Sequence, residues 1–304
     1  MRTVEFEVTE SENGITALSF LKRRGFSQRA VVDLKKNGGL TRNNAILRTV
    51  DRVYAGEKIR AEIAEDGQAL EPDFSVNARV VAESEDFVLF DKGAGVPVHP
   101  SICHRTGTLG NLFSVLYPDR AFRPVHRLDN NTSGLCLCAK NAAAAPALAR
   151  TAEKVYFAAV SGEIIDSGEI NLPIARAPDS IIKREVCEDG APAVTLYKPI
   201  LVKNGRTLLE ITLKTGRTHQ IRVHFAHIGH ALLGDDLYGG DCSEISRHAL
   251  HCGKIRFAEP FSDNFVQFDS ALPEDIAGLF IEKNQPFPKM DSFTKPLNKI
   301  QPKK

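Results

Sequence analysis

Short alternating and short apolar runs dominate the chain, and helical spacing is sparse. Residues 3–8 alternate and predict a strand. Ile15, Leu18 and Leu21, then Val31, Val32 and Leu34, fall at helical spacing on either side of Gly25-Phe26-Ser27. Ser27 predicts an N-cap for a second helix ending near Gly38 and Gly39. A further strand is expected over residues 53–61. The polar segment 65–77, with Gly67 and Pro72, is expected to be a linker. Beyond it, residues 80–82 and 87–90 are apolar runs split by acidic turn residues, which predicts a hairpin. Residues 135–139, 155–160, 195–197 and 208–213 read as strands. Residues 141–150 are Ala-rich and helical, limited or kinked by Pro146. Strands outnumber helices and few are joined by helical crossovers. The expected fold is α+β: a mostly antiparallel, mixed-sheet catalytic domain with a central cleft (78–285), plus a small N-terminal α/β module (1–64). The tail, 286–304, is basic and expected to be disordered.

Composition adds little: 304 residues, 42% hydrophobic and 25% charged, are ordinary for a globular protein. No apolar run approaches the roughly 18 residues that suggest a membrane helix. The acidic, alternating start does not resemble a secretory signal, so the cytoplasm is the expected compartment and no membrane partner is expected. Six cysteines include no Cys-x-x-Cys pair, and Cys136 and Cys138 alternate as small buried hydrophobes would. Charge changes the picture. The net formal charge is only +1, yet residues 15–60 hold eleven Lys or Arg against Asp33, Asp51 and Glu57. Such a localised excess is the usual footprint of nucleic-acid binding, although a solvated face is the commoner origin of any single patch.

The string HRLDNNTSGL at 126–135 is the most informative part of the chain. Asp129 stands between an apolar and a turn-forming run, at the lip of a packed element. A lone Asp before Asn-Asn ordinarily bonds its own backbone in a turn. Here eight or more neighbours match a pattern, and the string resembles the catalytic motif of the RluA-type pseudouridine synthases. Two further segments, in the order that family shows, carry the same resemblance: KVYFAAVSG at 154–162, and LKTGRTHQIRVH at 213–224. So do the loop 90–100, in which Gly93 replaces the family's proline and should loosen the loop, and the late segments 234–239 and Leu250-His251. Residues 15–61 resemble the small RNA-binding module first known from a ribosomal protein of the small subunit, with basic residues on the second helix and Gly56-Glu57 opening the closing strand. The usual short hairpin between them is poorly matched by residues 39–44.

The resemblance implies an isomerase that converts uridine to pseudouridine in RNA without cofactor or metal. It implies Asp129 as the catalytic carboxylate, Arg222 as the guanidinium that keeps it charged and oriented, and Tyr156 as the ring that stacks on uracil. The corresponding chemistry needs a carboxylate held by an opposite charge within ~4–6 Å. It also needs an aromatic face, worth roughly 1–3 kcal/mol by stacking, and a flipped-out base. His126, Arg127, Thr132, Arg217, His219, Gln220 and Leu250 are expected to contact substrate or support the site, with Lys35 and Lys36 holding RNA. A helix capped by Thr218 and running to Gly229 would bury Ile221, Phe225 and Ile228 and turn Arg222 into a cleft. The expected partner is RNA, with large-subunit ribosomal RNA first and transfer RNA second, and the chain is expected to act as a monomer.

The ordinary roles of the other two residues are a core strand tyrosine for Tyr156 and a surface ion pair for Arg222. His219, His224, His227 and His230 invite a metal reading, but they do not share one helical face and no His-Glu-x-x-His pattern is present. Cys242, His248, His251 and Cys252 fit no common zinc spacing. The rival of a different class is a non-catalytic RNA-binding or ribosome-assembly protein that has kept the fold. Such a protein should have lost at least one of Asp129, Tyr156 and Arg222.

Overall fold

The computed structural model describes residues 2–64, 70–101, 104–262 and 264–281. The tail and the first part of the linker lie outside them. The N-terminal module is a four-stranded antiparallel sheet, in the order β1 (Arg2–Glu7), β4 (Lys58–Ile63), β2 (Leu40–Arg42), β3 (Ala45–Ile46), with helices α1 (Ala17–Arg23) and α2 (Gln28–Lys36). Ser27 caps α2 by accepting from the Ala30 amide at 3.2 Å. The segment 39–44, which matched no familiar hairpin, nonetheless forms one. Asn43 and Asn44 both take positive φ, +50° and +68°, as a two-residue turn between twisted strands requires.

The large domain is built on a ten-stranded sheet. Its strands are β5 (Ala78–Glu83), β6 (Phe87–Lys92), β7 (Arg123–Pro124), β8 (Ser133–Ala139), β9 (Glu153–Ser161), β10 (Gly168–Asn171), β13 (Val194–Lys203), β14 (Arg206–Leu213), β15 (Leu250–Ala258) and β16 (Phe265–Asp269). A small ribbon of β11 (Ile174–Arg176) and β12 (Arg184–Val186) lies apart. The main path runs β10-β13-β14-β9-β15-β8-β6-β5, and only β8 and β15 pair in parallel. Helices α3 (Leu109–Leu116), α4 (Ala144–Thr151), α5 (Gln220–His227) and α6 (Glu274–Ala277) complete it. Pro146 sits in the first turn of α4, where its missing donor is not needed, so it starts the helix without kinking it.

Alternation along β9 divides the core. Tyr156, Ala158 and Val160 face one apolar cluster, while Phe157 and Ala159 face another. β8 lies near the middle of the sheet and all seven of its residues are buried, which accounts for its continuous apolar reading. Among the described residues no helix is long and apolar enough to cross a membrane.

Gly93, where looseness was expected, is held. Its amide donates to Asn77 O at 2.9 Å, a bond proline could not make, and a Cβ there would lie 2.6 Å from the Asn77 side chain.

Candidate active site

Asp129 lies in the loop that enters β8. Its neighbour Leu128 is buried in the main core, which sets the loop at the lip of the sheet. The loop backbone is pinned at three successive carbonyls. Asp129 O accepts from the Thr132 amide at 3.1 Å. Asn130 O accepts from Lys92 Nζ at 2.9 Å and from the Gly95 amide at 3.1 Å. Asn131 O accepts from Arg247 Nη1 at 3.1 Å. Thr132 Oγ1 lies 2.8 Å from His248 Nε2. Burial pushes the Lys92 ammonium down to about 8 and, with Arg222 and Arg247 adding to it, the His248 imidazole down to about 2.

The Asp129 carboxylate reaches toward α5. Arg222 Nη1 stands 3.4 Å from Asp129 Oδ2, and His219 Nε2 stands 3.9 Å from the same oxygen. Arg222 is itself held by a group to which the sequence reading gave no role. Asp235, fully buried, accepts from Nε and Nη2 at 2.7 Å each. The guanidinium also lies 5.0 Å from the Tyr238 ring centre. Burial would lower the Arg222 pKa, but its bonds to and the charge of Asp235 more than offset this, and the value is raised. Asp235 and Tyr238 belong to the segment 234–239 that matched the family; only their position three-dimensionally beneath α5 reveals the contact.

The helix differs from expectation at its start and in its buried face. It begins at Gln220, with His219 rather than Thr218 at the cap, and His219 takes a left-handed φ of +58°. That conformation brings His219 Nδ1 to 2.9 Å from the Tyr238 hydroxyl while leaving Nε2 facing Asp129. Ile228 is exposed rather than part of a buried stripe, and residues 220–225 are buried all round. The surrounding sheet and loops enclose the helix, so one-face spacing does not describe it.

The other expected site residues divide into two groups. His126, Arg127, Asp129, Thr132, Tyr156, Arg217, His219, Gln220, Arg222 and Leu250 all line one cleft of about 480 Å³, a volume in the range of small-ligand sites. Within it, Gln220 is a brace: it accepts from Thr215 and the Arg217 amide and donates to Val194 O and Thr195. His126 Nε2 donates to Leu135 O at 3.1 Å, and burial pushes its pKa down to about 3. Arg127, Lys154, Lys214 and Arg217 give the rim positive charge. Lys35 and Lys36 lie elsewhere, exposed on the last turn of α2. His224 of the histidine run is buried with Nδ1 at 2.9 Å from Thr195 and Nε2 at 2.9 Å from Leu172 O. Among the described residues no group of three His, Cys, Asp or Glu could hold a metal ion.

The cleft thus offers a carboxylate on one wall, a guanidinium and imidazole beside it, and an aromatic and an aliphatic side chain below. These suit proton transfer or covalent attack on a planar, uncharged base whose phosphates rest on the rim.

Comparison with known proteins agrees. A family model described as RNA pseudouridylate synthase matches residues 86–227, a span holding Asp129, Tyr156 and Arg222. Ribosomal large subunit pseudouridine synthase D of Pseudomonas aeruginosa is 35% identical over 267 residues, covering 80% of this chain and 83% of that one. The uncharacterized RNA pseudouridine synthase YhcT of Bacillus subtilis is 32% identical over 298 residues, covering 91% and 96%. Among solved structures, human RNA pseudouridylate synthase domain containing 1 superposes with a TM-score of 0.55 at 26% identity, over 69% of this chain and 90% of that one. A mixed sheet carrying these three segments, and relatives of this identity along most of their length, make the chain a member of the RluA-type RNA pseudouridine synthases, enzymes that isomerise uridine within RNA.

Proposed function

We propose that this enzyme acts on uridine in structured large-subunit ribosomal RNA, with Asp129 as its catalytic carboxylate. The substrate follows the names of relatives such as that of Pseudomonas aeruginosa. The observation that carries the assignment of roles is the convergence of Asp129, Arg222 and Tyr156, drawn from a loop, a helix and a strand, on one cleft.

The reaction is an isomerisation. The bond from uracil N1 to the ribose C1′ breaks, the freed ring turns in place, C5 bonds to C1′, and the C5 proton leaves as N1 regains one. Asp129 opens the glycosidic bond, by attack or by proton removal, and Arg222 holds the carboxylate toward the base. Tyr156 keeps the loose ring stacked, and Leu250 packs beneath it. The rim cations hold the flanking phosphates, and the basic face of the N-terminal module, including Lys35 and Lys36, binds structured RNA around the target.

The test is tritium release from an unmodified large-subunit ribosomal RNA transcript labelled at uridine C5. Wild type should release label without added nucleotide or metal. Asp129→Asn should bind the transcript with near-normal affinity and release none. Release by Asp129→Asn at the wild-type rate would remove Asp129 from the chemistry. A wild type that binds yet never releases label would favour a non-catalytic role.

A further inference from the structure

Phe261, in the turn between β15 and β16, has a φ of +61°, a left-handed backbone that costs a bulky residue about 1–3 kcal/mol. Such strain persists only where surrounding contacts hold it. Here they come from the other domain: the Phe261 ring centre is 4.8 Å from that of Phe26 and 6.4 Å from that of Phe6, both in the core of the N-terminal module. Ala143, from the segment leading into α4, is buried in that same core. Arg2 of β1 forks onto Asp86 of the large domain at 3.1 Å through each nitrogen, and Asn141 holds Asp86 from behind at 2.8 Å. Gly25, with φ of +89°, brings its backbone against α4, so close that a Cβ there would lie 3.4 Å from Arg150 Nη2. The module is therefore latched onto the large domain at four separate points.

This seam encloses a cavity of about 360 Å³ outside the catalytic cleft. Arg23 and Arg24 line it from the module, and Arg150 lines it from α4, against Glu259, the single acid among the described residues that line it. Arg24 is paired with Glu12 at 2.8 Å. Arg23 and Arg150 are exposed, and Arg23 Nη1 donates to Ser11 O at 3.1 Å. One stretch of chain runs from the seam to the catalytic cleft. Thr151 lines the seam, while the next residue, Ala152, and then Lys154 line the catalytic cleft. The two clefts are thus lined by consecutive residues of the segment between α4 and β9.

We propose that the seam is a second RNA-backbone site, in which a phosphodiester of the strand leaving the catalytic cleft past Lys154 seats between Arg23 and Arg150. Phe261 is the latch that sets the spacing of these two arginines, one on each domain. The site takes a polyanionic strand and reads no base, because its contacts go to phosphate, which carries no sequence information. It fixes the direction in which RNA crosses the active site, and so bears on which uridine is presented. The proposal rests on the RNA reading above.

Binding of the unmodified large-subunit ribosomal RNA transcript, titrated by fluorescence anisotropy at graded salt, tests it. Arg23→Ala combined with Arg150→Ala should lower the salt slope by about 0.7, for the one single-strand phosphate they share, which is about fivefold in affinity near 0.1 M salt. Arg79→Ala, on the far edge strand β5, should leave binding as in wild type. Phe261→Gly removes ring and strain together and should weaken binding in the same direction, with its own circular dichroism melt reporting whether the domains remain folded. Unchanged affinity and slope in the double arginine variant would overturn the site. A folded Phe261→Gly protein that binds like wild type would overturn the latch. A wild type that turns over RNA while the arginine variant binds normally leaves the catalytic reading standing and this one refuted; arginine-dependent binding without any tritium release does the reverse.

Discussion

Arg222 is held more tightly by Asp235 than it holds Asp129. Two bonds of 2.7 Å fork onto Asp235, and a single contact of 3.4 Å reaches Asp129. The buried acid positions the guanidinium, and the Asp129 side chain, 21% exposed, remains open to the cleft. On the proposed roles, support falls to Asp235 and chemistry to Asp129, both carried by one arginine.

That division predicts opposite orders for stability and turnover. Asp235→Asn leaves a buried guanidinium without its counter-charge and should cost about 3–5 kcal/mol. Asp129→Asn loses one long, partly solvated contact and should cost under about 1 kcal/mol while abolishing turnover. Urea unfolding and tritium release on the same preparations separate the two. Equal destabilisation by both substitutions would refute the division.

Tyr156 lines the cleft and is otherwise buried. Tyr156→Phe keeps the stacking face and should retain substantial activity. Tyr156→Leu loses roughly 1–3 kcal/mol of stacking, about fivefold to 160-fold in kcat/KM. Near-normal turnover by the leucine variant would remove the stacking role.

Gly134 follows the Asp129 loop in β8, with φ of +109°, and pairs with Cys252 in the parallel ladder. A Cβ there would stand 2.3 Å from the Cys252 carbonyl oxygen. No rotamer relieves a clash with backbone, so Gly134→Ala should cost more than about 3 kcal/mol and disrupt the loop that carries Asp129. A variant with unchanged unfolding midpoint would show that β8 and β15 are not packed this closely.

Acid should destabilise the fold early. Burial pushes His248 to about 2 and His251 to about 4, below the unfolded value of 6.5. Between those values and 6.5 the unfolded chain binds more protons than the folded one. Stability is therefore complete above pH 6.5 and falls as pH drops below it. By pH 5.5 the two residues together should cost about 3 kcal/mol. Denaturant unfolding at pH 7.5 and 5.5 measures the difference, and a flat profile would mean that both rings are protonated in the fold.

Lys35 and Lys36 stand exposed on the last turn of α2, away from the cleft. Replacing both with alanine should weaken transcript binding and flatten its salt slope by about 1.4, if each meets one single-strand phosphate. Unaltered slope would assign RNA anchorage to other faces of the module.

Some of this architecture is determined locally. The all-buried β8, the alternating β9 and the Ser27-capped α2 follow from runs and caps whose causes lie within a few residues. Three short segments point to Asp129, Tyr156 and Arg222 through their resemblance to the family's motifs. Their meeting was decided by tertiary structure. Asp129 and Arg222 are 93 residues apart, and nothing local distinguishes Arg222 from a surface ion pair. The same holds for the acid that grips Arg222, for the left-handed His219 that corrects the helix cap, and for Phe261 reaching into another domain. Periodicity reports burial along one element. The sign of a backbone dihedral, the partner of a buried charge and the docking of two domains depend on which distant groups arrive at the same place, and only packing selects them.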